Sequence, residues 1–196
     1  FRGLIEFSNI CSKNCYYCGL RTGNKDLHRY EISEKEVLEA VDLAWKSKYG
    51  SIVLQSGEQN SPAFIDKVEK LLKKIKKLTN NEIGITLSCG EQSRETYERW
   101  FKAGAHRYLL RIETTNRDLY YKIHPQDNMH ELDERLECLN ILKDIGYQVG
   151  SGIMVGLPFQ SIESIADDLI FLKTIDVDMI GLGPYVEHSN TPLYEH

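Results

Sequence analysis

The chain has 196 residues, 41% of them hydrophobic and 27% charged, with a formal net charge of −5. That length suits one domain with a substantial core. The acidic balance argues against the basic footprint of a nucleic-acid binder, and no run of about 18 apolar residues offers a transmembrane helix.

In chain order, short apolar runs alternate with longer helical patterns. Leu4 to Phe7 reads as a strand, followed by a cysteine-bearing loop. Ser33-Glu-Lys-Glu36 is a capping-box pattern that starts a helix through about Lys46. Ser51 to Gln55 is the second strand. After Pro62, the apolar residues Phe64, Ile65, Val68, Leu71, Leu72, Ile75 and Leu78 recur at three- and four-residue spacing, which predicts a helix. The lysines between them flank an intact apolar stripe and read as its solvated face. Ile83 to Ser88 is a strand, and Glu95 to Ala103 a helix closed by Gly104. Tyr108 to Ile112 follows as a strand. Next come a short helix from about Asn116 and a longer one from Glu131 to Ile145. Val149 to Val155 is a strand, Ile162 to Thr174 a helix and Met179 to Leu182 the last strand. Pro184 to His196 reads as irregular.

The loop after the first strand carries Cys11-Ser-Lys-Asn-Cys15-Tyr-Tyr-Cys18. Thiolates are the soft ligands of iron–sulfur clusters, and this C-x3-C-x2-C spacing suits three corners of a 4Fe–4S cube with the fourth iron open. A structural zinc site usually takes four ligands in two close pairs, whereas Cys89 and Cys138 are distant and unpaired in sequence. Five cysteines, an odd number, are also too few for a disulfide-rich secreted domain. An electron-transfer or scaffold module with an outside fourth ligand stays open as a rival. Oxygen-sensitive thiolates point to a reducing cytosol as the compartment.

Six strand–helix alternations with short links argue for a parallel α/β sheet. Nearly every strand ends in small or polar residues, among them Ser56-Gly-Glu58, Ser88-Cys-Gly-Glu91, Arg111-Ile-Glu-Thr114 and Gly152 to Gly156. Strand ends converge on one mouth in a (β/α) TIM-type barrel, but only near the switch point in a doubly wound sheet. The barrel is therefore expected, with about six of its eight strand–helix units present. The chain begins on Phe1 without an initiator Met, and residues 1–196 read as a single barrel domain that is a piece of something longer.

With these residues in place, the chain resembles the barrel core of the radical S-adenosylmethionine (SAM) superfamily. Cys11, Cys15 and Cys18, with aromatic Tyr17 before the last, match its cluster motif. Ser56-Gly57-Glu58 resembles the Gly-Gly-Glu segment that receives the methionine ammonium, and Gly152-Ile-Met154-Val-Gly156 the fifth-strand segment that passes the adenine. Within the superfamily the resemblance is to the HydE-type maturases of FeFe-hydrogenase, with methylornithine synthase and biotin synthase as neighbours. It runs through Phe1-Arg-Gly-Leu-Ile-Glu-Phe-Ser, Ile52-Val-Leu-Gln-Ser-Gly-Glu58, Arg107-Tyr-Leu-Leu-Arg-Ile-Glu-Thr114 and His188-Ser-Asn-Thr-Pro-Leu193.

That resemblance implies a 4Fe–4S cluster and SAM as cofactors, reductive cleavage of SAM, and a cysteine-derived, iron-bound substrate on the way to the hydrogenase H-cluster. Hydrogenase-maturation proteins would be the partners, with neither nucleic acid nor membrane involved. It puts an arginine, here Arg135, on the methionine carboxylate. Glu113 suits the ribose hydroxyls, or else pairs with Arg111. Thr86, Ser88 and Arg111 are expected to line the substrate cavity, with Arg111 on a substrate anion or serving only Glu113. The fourth and fifth strand ends carry no cysteine for the second cluster that biotin synthase needs, and Cys89 near the mouth stands alone, which disfavours sulfur insertion. A methylornithine synthase-type lysine mutase is the alternative within the family.

Overall fold

The computed structural model describes residues 2–195, the side chain of Glu195 excepted. Its core is one parallel sheet of six strands in the order β1-β2-β3-β4-β5-β6. The strands are β1 (Arg2–Ser8), β2 (Ser51–Ser56), β3 (Gly84–Ser88), β4 (Arg107–Leu109), β5 (Gln148–Val155) and β6 (Met179–Pro184). Helices α1 (Glu34–Lys46), α2 (Pro62–Leu78), α3 (Arg94–Lys102), α4 (Arg117–Ile123), α5 (Leu132–Ile145) and α6 (Ile162–Thr174) join them.

Strictly sequential order decides between barrel and doubly wound sheet. Each crossover steps one strand in the same direction, and crossovers of one hand then leave every helix on one face. Across the register, Ile5, Leu54, Leu87, Tyr108 and Val149 fall in line on that face. They are buried in the main core with Val41 of α1, Leu72 of α2, Trp100 of α3 and Leu142 of α5. The opposite, inner face carries the line Leu4, Val53, Thr86, Arg107 and Gln148, and one pleat higher Glu6, Gln55 and Ser88. A sheet apolar behind and polar within is the half-barrel expected from the strand ends.

Local chemistry sets the boundaries. Ser33 and Glu36 form the reciprocal capping box of α1, the Glu36 carboxylate accepting from the Ser33 N–H at 2.8 Å. Ser61 caps α2, with Pro62 in its first turn, where a missing N–H costs nothing. Gly146 ends α5 at φ +100°. β4 is shorter than the Tyr108-to-Ile112 strand expected from sequence. Glu113 sits in the left-handed region at φ +61°, which bends the chain out of the ladder. Beyond Leu109 the N–H groups of Leu110 and Ile112 still donate to the Gly150 and Gly152 carbonyls of β5 at 2.9 and 3.1 Å, and an isolated bridge joins Glu113 to Ile153. The tail is also more ordered than expected. A 3₁₀ turn covers Pro192–Glu195, and the Leu193 N–H donates to the Tyr16 carbonyl at 3.1 Å, docking it on the cysteine loop. Among the described residues no helix is long and apolar enough to cross a membrane.

Candidate active site

The cysteine loop leaves β1 and returns over the ends of β2 and β3. Gly57 makes this crossing possible. A Cβ placed there would lie 2.3 Å from the Ile10 carbonyl oxygen and 2.7 Å from the Cys11 Cβ. The Ser12 N–H and hydroxyl both donate to the Glu58 carbonyl at 2.9 Å. The segment Ser56-Gly57-Glu58 is therefore pressed against the first cysteine, while the Ser56 hydroxyl bonds only locally, to the Gly57 carbonyl at 2.8 Å.

Cys11, Cys15 and Cys18 are all free thiols. Burial pushes the Cys15 thiol up to about 12, against the nearby charge of Arg135, and burial also raises Cys18. Neutral thiols of this kind become ligands only when a metal takes the place of the proton. Among the described residues no three or more His, Cys, Asp or Glu side chains are gathered as ligands to one ion would be. A cluster spreads its thiolates over separate corners and does not need that convergence.

Beside the loop lie four buried charges. Lys13 Nζ is 3.1 Å from Glu58 Oε1 and 2.7 Å from Glu91 Oε2. Arg135 Nη2 is 3.7 Å from Glu58 Oε2, and its Nε is 3.1 Å from Glu91 Oε1 without hydrogen-bond alignment. Two cations and two carboxylates balance. Burial works against the charge of Lys13 and of Arg135, yet Glu58 and Glu91 outweigh it and hold both above their ordinary values. Burial, with Glu91 close by, also lifts the Glu58 carboxyl, in spite of Arg135 and Lys13. Glu58 Oε2 lies 3.7 Å from Arg135 with no hydrogen bond between them. Arg135 is short of acceptors, for its Nη1 is buried with no hydrogen-bond partner. Gly90, at φ +75°, lets Glu58 pack where a Cβ would come within 2.1 Å of its Cγ.

Arg111 is held by Glu113 and by two strand carbonyls. Its Nε and Nη2 hold the two Glu113 oxygens at 2.8 and 2.9 Å, a bidentate pair. Nη1 donates to the Gly181 carbonyl at 2.9 Å and Nη2 to that of Ile153 at 2.7 Å. Of the two alternatives open from sequence, the partner shown here is Glu113. Four of the five guanidinium N–H groups are engaged. The side chain crosses β5 toward β6, away from Thr86 and Ser88 on β3. Thr86 is buried on the inner face, its hydroxyl without a partner, and Ser88 is half-buried one pleat above.

Gly152 makes room for this pair of strands, since a Cβ there would meet the Gly181 carbonyl oxygen at 2.0 Å. Gly156 has open space around it and is a glycine for its φ of +86°. Met154 and Tyr17 meet in a small second apolar cluster with Leu119, Ile123, Leu157 and Leu193. The Tyr17 hydroxyl donates to His124 Nε2 at 3.3 Å, and His124 Nδ1 donates to the Tyr120 carbonyl at 2.9 Å.

Residue reasoning from sequence passed over Lys13, His124 and His130, and assigned Glu91 no role. Glu91 stood in a polar strand end and Lys13 between two cysteines, both visible signals. The two histidines come from the α4–α5 segment, and only the tertiary fold brings them to the loop. Cys89 and Cys138 are buried in the main core.

A sequence model of the radical SAM superfamily matches residues 5–172. The chain belongs to this superfamily. With membership come the cofactors of the radical SAM enzymes, a 4Fe–4S cluster and SAM. The chain is 49% identical over 193 residues to the [FeFe] hydrogenase maturase subunit HydE of Thermotoga maritima, covering 98% of this chain and 53% of that protein. The crystal structure of methylornithine synthase (PylB) superposes with a TM-score of 0.89 at 25% identity, over 100% of this chain and 56% of that one. HydG, a maturase of the [FeFe]-hydrogenase, shares the fold with a TM-score of 0.81 at 23% identity, over 99% and 44%. The chain spans about half the length of the curated relatives it matches. The superfamily's cofactors fit the residues present. Three soft donors sit in one loop, a glycine carries the neighbouring strand end past it, and a buried guanidinium beside that strand end keeps an unpartnered N–H.

Proposed function

We propose that this chain is the barrel core of a HydE-type radical SAM enzyme acting in the assembly of the FeFe-hydrogenase H-cluster. Cys11, Cys15 and Cys18 would hold three corners of the 4Fe–4S cluster. A reduced cluster with SAM bound to it supplies the electron that splits the cofactor into methionine and a 5′-deoxyadenosyl radical. The observation that carries this reading is the buried, unpartnered Nη1 of Arg135 beside Glu58, at the edge of the cysteine loop.

That pair matches the two ends of an amino acid. Glu58, whose oxygens are paired with Lys13 and Arg135 by charge only, would accept from the cofactor's ammonium, and Gly57 lets its backbone approach. Arg135 would donate to the carboxylate, charge-assisted and sheltered from water. Tyr17 and Met154, in the small apolar cluster, would close the site on the side of α4, with Gly152 and Gly156 shaping the end of β5. Glu113, fixed by Arg111, would orient ribose hydroxyls. Arg111 keeps one N–H for a substrate anion, and the buried hydroxyl of Thr86 and that of Ser88 face the inner side of the barrel.

Identity of 49% to HydE against 26% to 3-methylornithine synthase supports the maturase over the mutase. The decisive experiment is anaerobic reconstitution of the full-length protein, reduction, and assay for 5′-deoxyadenosine, followed by complementation of a maturase-deficient hydrogenase host. A well-formed cluster without 5′-deoxyadenosine would sink the enzyme reading. Cleavage without complementation would sink the maturase assignment.

A further inference from the structure

A lysine lies between Cys11 and Cys15 and points inward, which a solvated loop does not require. Lys13 is only 8% exposed, whereas lysine is among the side chains least often buried. Its ammonium has three N–H donors and no acceptor. Three acceptors meet it, each from a different part of the fold. Glu58 comes from the end of β2 at 3.1 Å, Glu91 from the end of β3 at 2.7 Å, and the Met129 carbonyl from the α4–α5 segment. The contacts to Glu91 and Met129 are hydrogen bonds, and the contact to Glu58 is an ion pair.

The loop is also held on either side of Lys13. The Asn14 N–H donates to His130 Nε2 at 2.9 Å, and His130, buried, donates from Nδ1 to Asp127 at 2.6 Å. The Tyr16 N–H donates to the Ile123 carbonyl at 2.9 Å. Four successive stations, residues 13, 14, 16 and 17, are thus fastened to the stretch from Ile123 to His130. Lys13 alone of these also reaches the carboxylates. It supplies one of the two positive charges that allow Glu58 and Glu91 to sit together.

We propose that Lys13 is a positioning residue that locks the Cys11–Cys15 segment to Glu58, and so sets the distance between the cluster loop and the group that receives the cofactor's ammonium. The proposal rests on the functional reading above, but part of its test does not. In the metal-free chain, Lys13→Met is expected to raise amide hydrogen exchange across residues 11–18 at least about tenfold, with β2 and β3 within about twofold of wild type. After anaerobic reconstitution, the variant is expected to retain less than about half the wild-type iron and sulfide. Its SAM dissociation constant, read from the SAM-induced change in the EPR spectrum of the reduced cluster, is expected to weaken about tenfold or more. Unchanged exchange in residues 11–18, or exchange raised equally across the sheet, would overturn the proposal. So would full iron content with wild-type SAM affinity. If Lys13→Met does not fold, Lys13→Gln is measured against the same thresholds. Failure of the wild-type protein to assemble a cluster would overturn the functional reading instead, and the exchange result on metal-free chain would still decide the role of Lys13 in holding the loop.

Discussion

Replacing Gly152 by alanine tests the packing at the joint of β4, β5 and β6. The added Cβ would lie 2.0 Å from the Gly181 carbonyl oxygen, 2.9 Å from its carbon and 2.8 Å from Arg111 Nη1. Gly152 and Gly181 are register partners, so relief requires the two strands to part or Arg111 to leave. Overpacking of this kind costs about 1–3 kcal/mol. Loss of the 2.9 Å Arg111–Gly181 bond, with a charged donor, adds about 1.5–3 kcal/mol. The two overlap, because moving Arg111 relieves part of the clash, and about 3 kcal/mol is the expected total. For a chain of this length each kcal/mol lowers the melting temperature by about 2–4 °C, giving a drop of roughly 6–12 °C in the metal-free protein. Gly156→Ala is the comparison. Nothing lies within 4 Å of its Cβ, and only the φ of +86° penalises it. Its cost is about 1–2 kcal/mol. Melting curves followed by circular dichroism on both variants check the order. A Gly152→Ala protein melting within about 2 °C of wild type, or above Gly156→Ala, would refute the packing argument.

Three further outcomes are expected. Burial first, and then Arg135, push His124 down to about 3 from its ordinary 6.5, so the folded chain keeps it neutral while the unfolded chain protonates it. Stability of the metal-free chain should therefore rise with pH between about 3 and 6.5 with a contribution of up to about 1.4 kcal/mol per pH unit, and level off above. Denaturant titrations across that range should show this contribution removed in His124→Asn. Arg135→Met leaves Glu58 and Glu91 to share Lys13, and a broken buried pair costs about 3–5 kcal/mol. Arg135→Lys should recover much of that stability, yet not the SAM-induced EPR change, since an ammonium lacks the planar fork. Finally, Cys89 is fully buried and its thiol is pushed up to about 12 by burial. Iodoacetamide should label Cys11 in the folded, metal-free chain before Cys89, as read by peptide mass spectrometry, and equal rates would contradict the packing.

The order of elements was legible because it rests on local chemistry. Ser33 and Glu36, Ser61 and Pro62, and Gly146 are start and stop signals whose effect needs only neighbouring residues. The half-barrel was legible one level up, from the small and polar residues at strand ends. What sequence could not supply was pairing at a distance. Arg111 suggested an anion, and the fold supplies Glu113 as one, held at 2.8 and 2.9 Å. Lys13 resembled any loop lysine until the folded α4–α5 segment closed over it. Glu58 and Arg135 were singled out in the sequence only through resemblance, and Glu91, 33 positions from Glu58 and 44 from Arg135, was left without a role.

On the proposed reading, the four charges would suit an amino-acid end better than a simple ion. Lys13, Arg135, Glu58 and Glu91 sum to zero, and a buried net charge costs several kcal/mol. A lone anion at Arg135 or a lone cation at Glu58 would break that balance. A zwitterion brings one of each. Its carboxylate would meet the spare Nη1 of Arg135 and its ammonium the Glu58 carboxylate, so charges would be re-paired and none added. Because Lys13 already lies 3.1 Å from one oxygen of Glu58, the incoming ammonium would share that carboxylate with it. The position of the cysteine loop and the strength of cofactor binding would then rise and fall together.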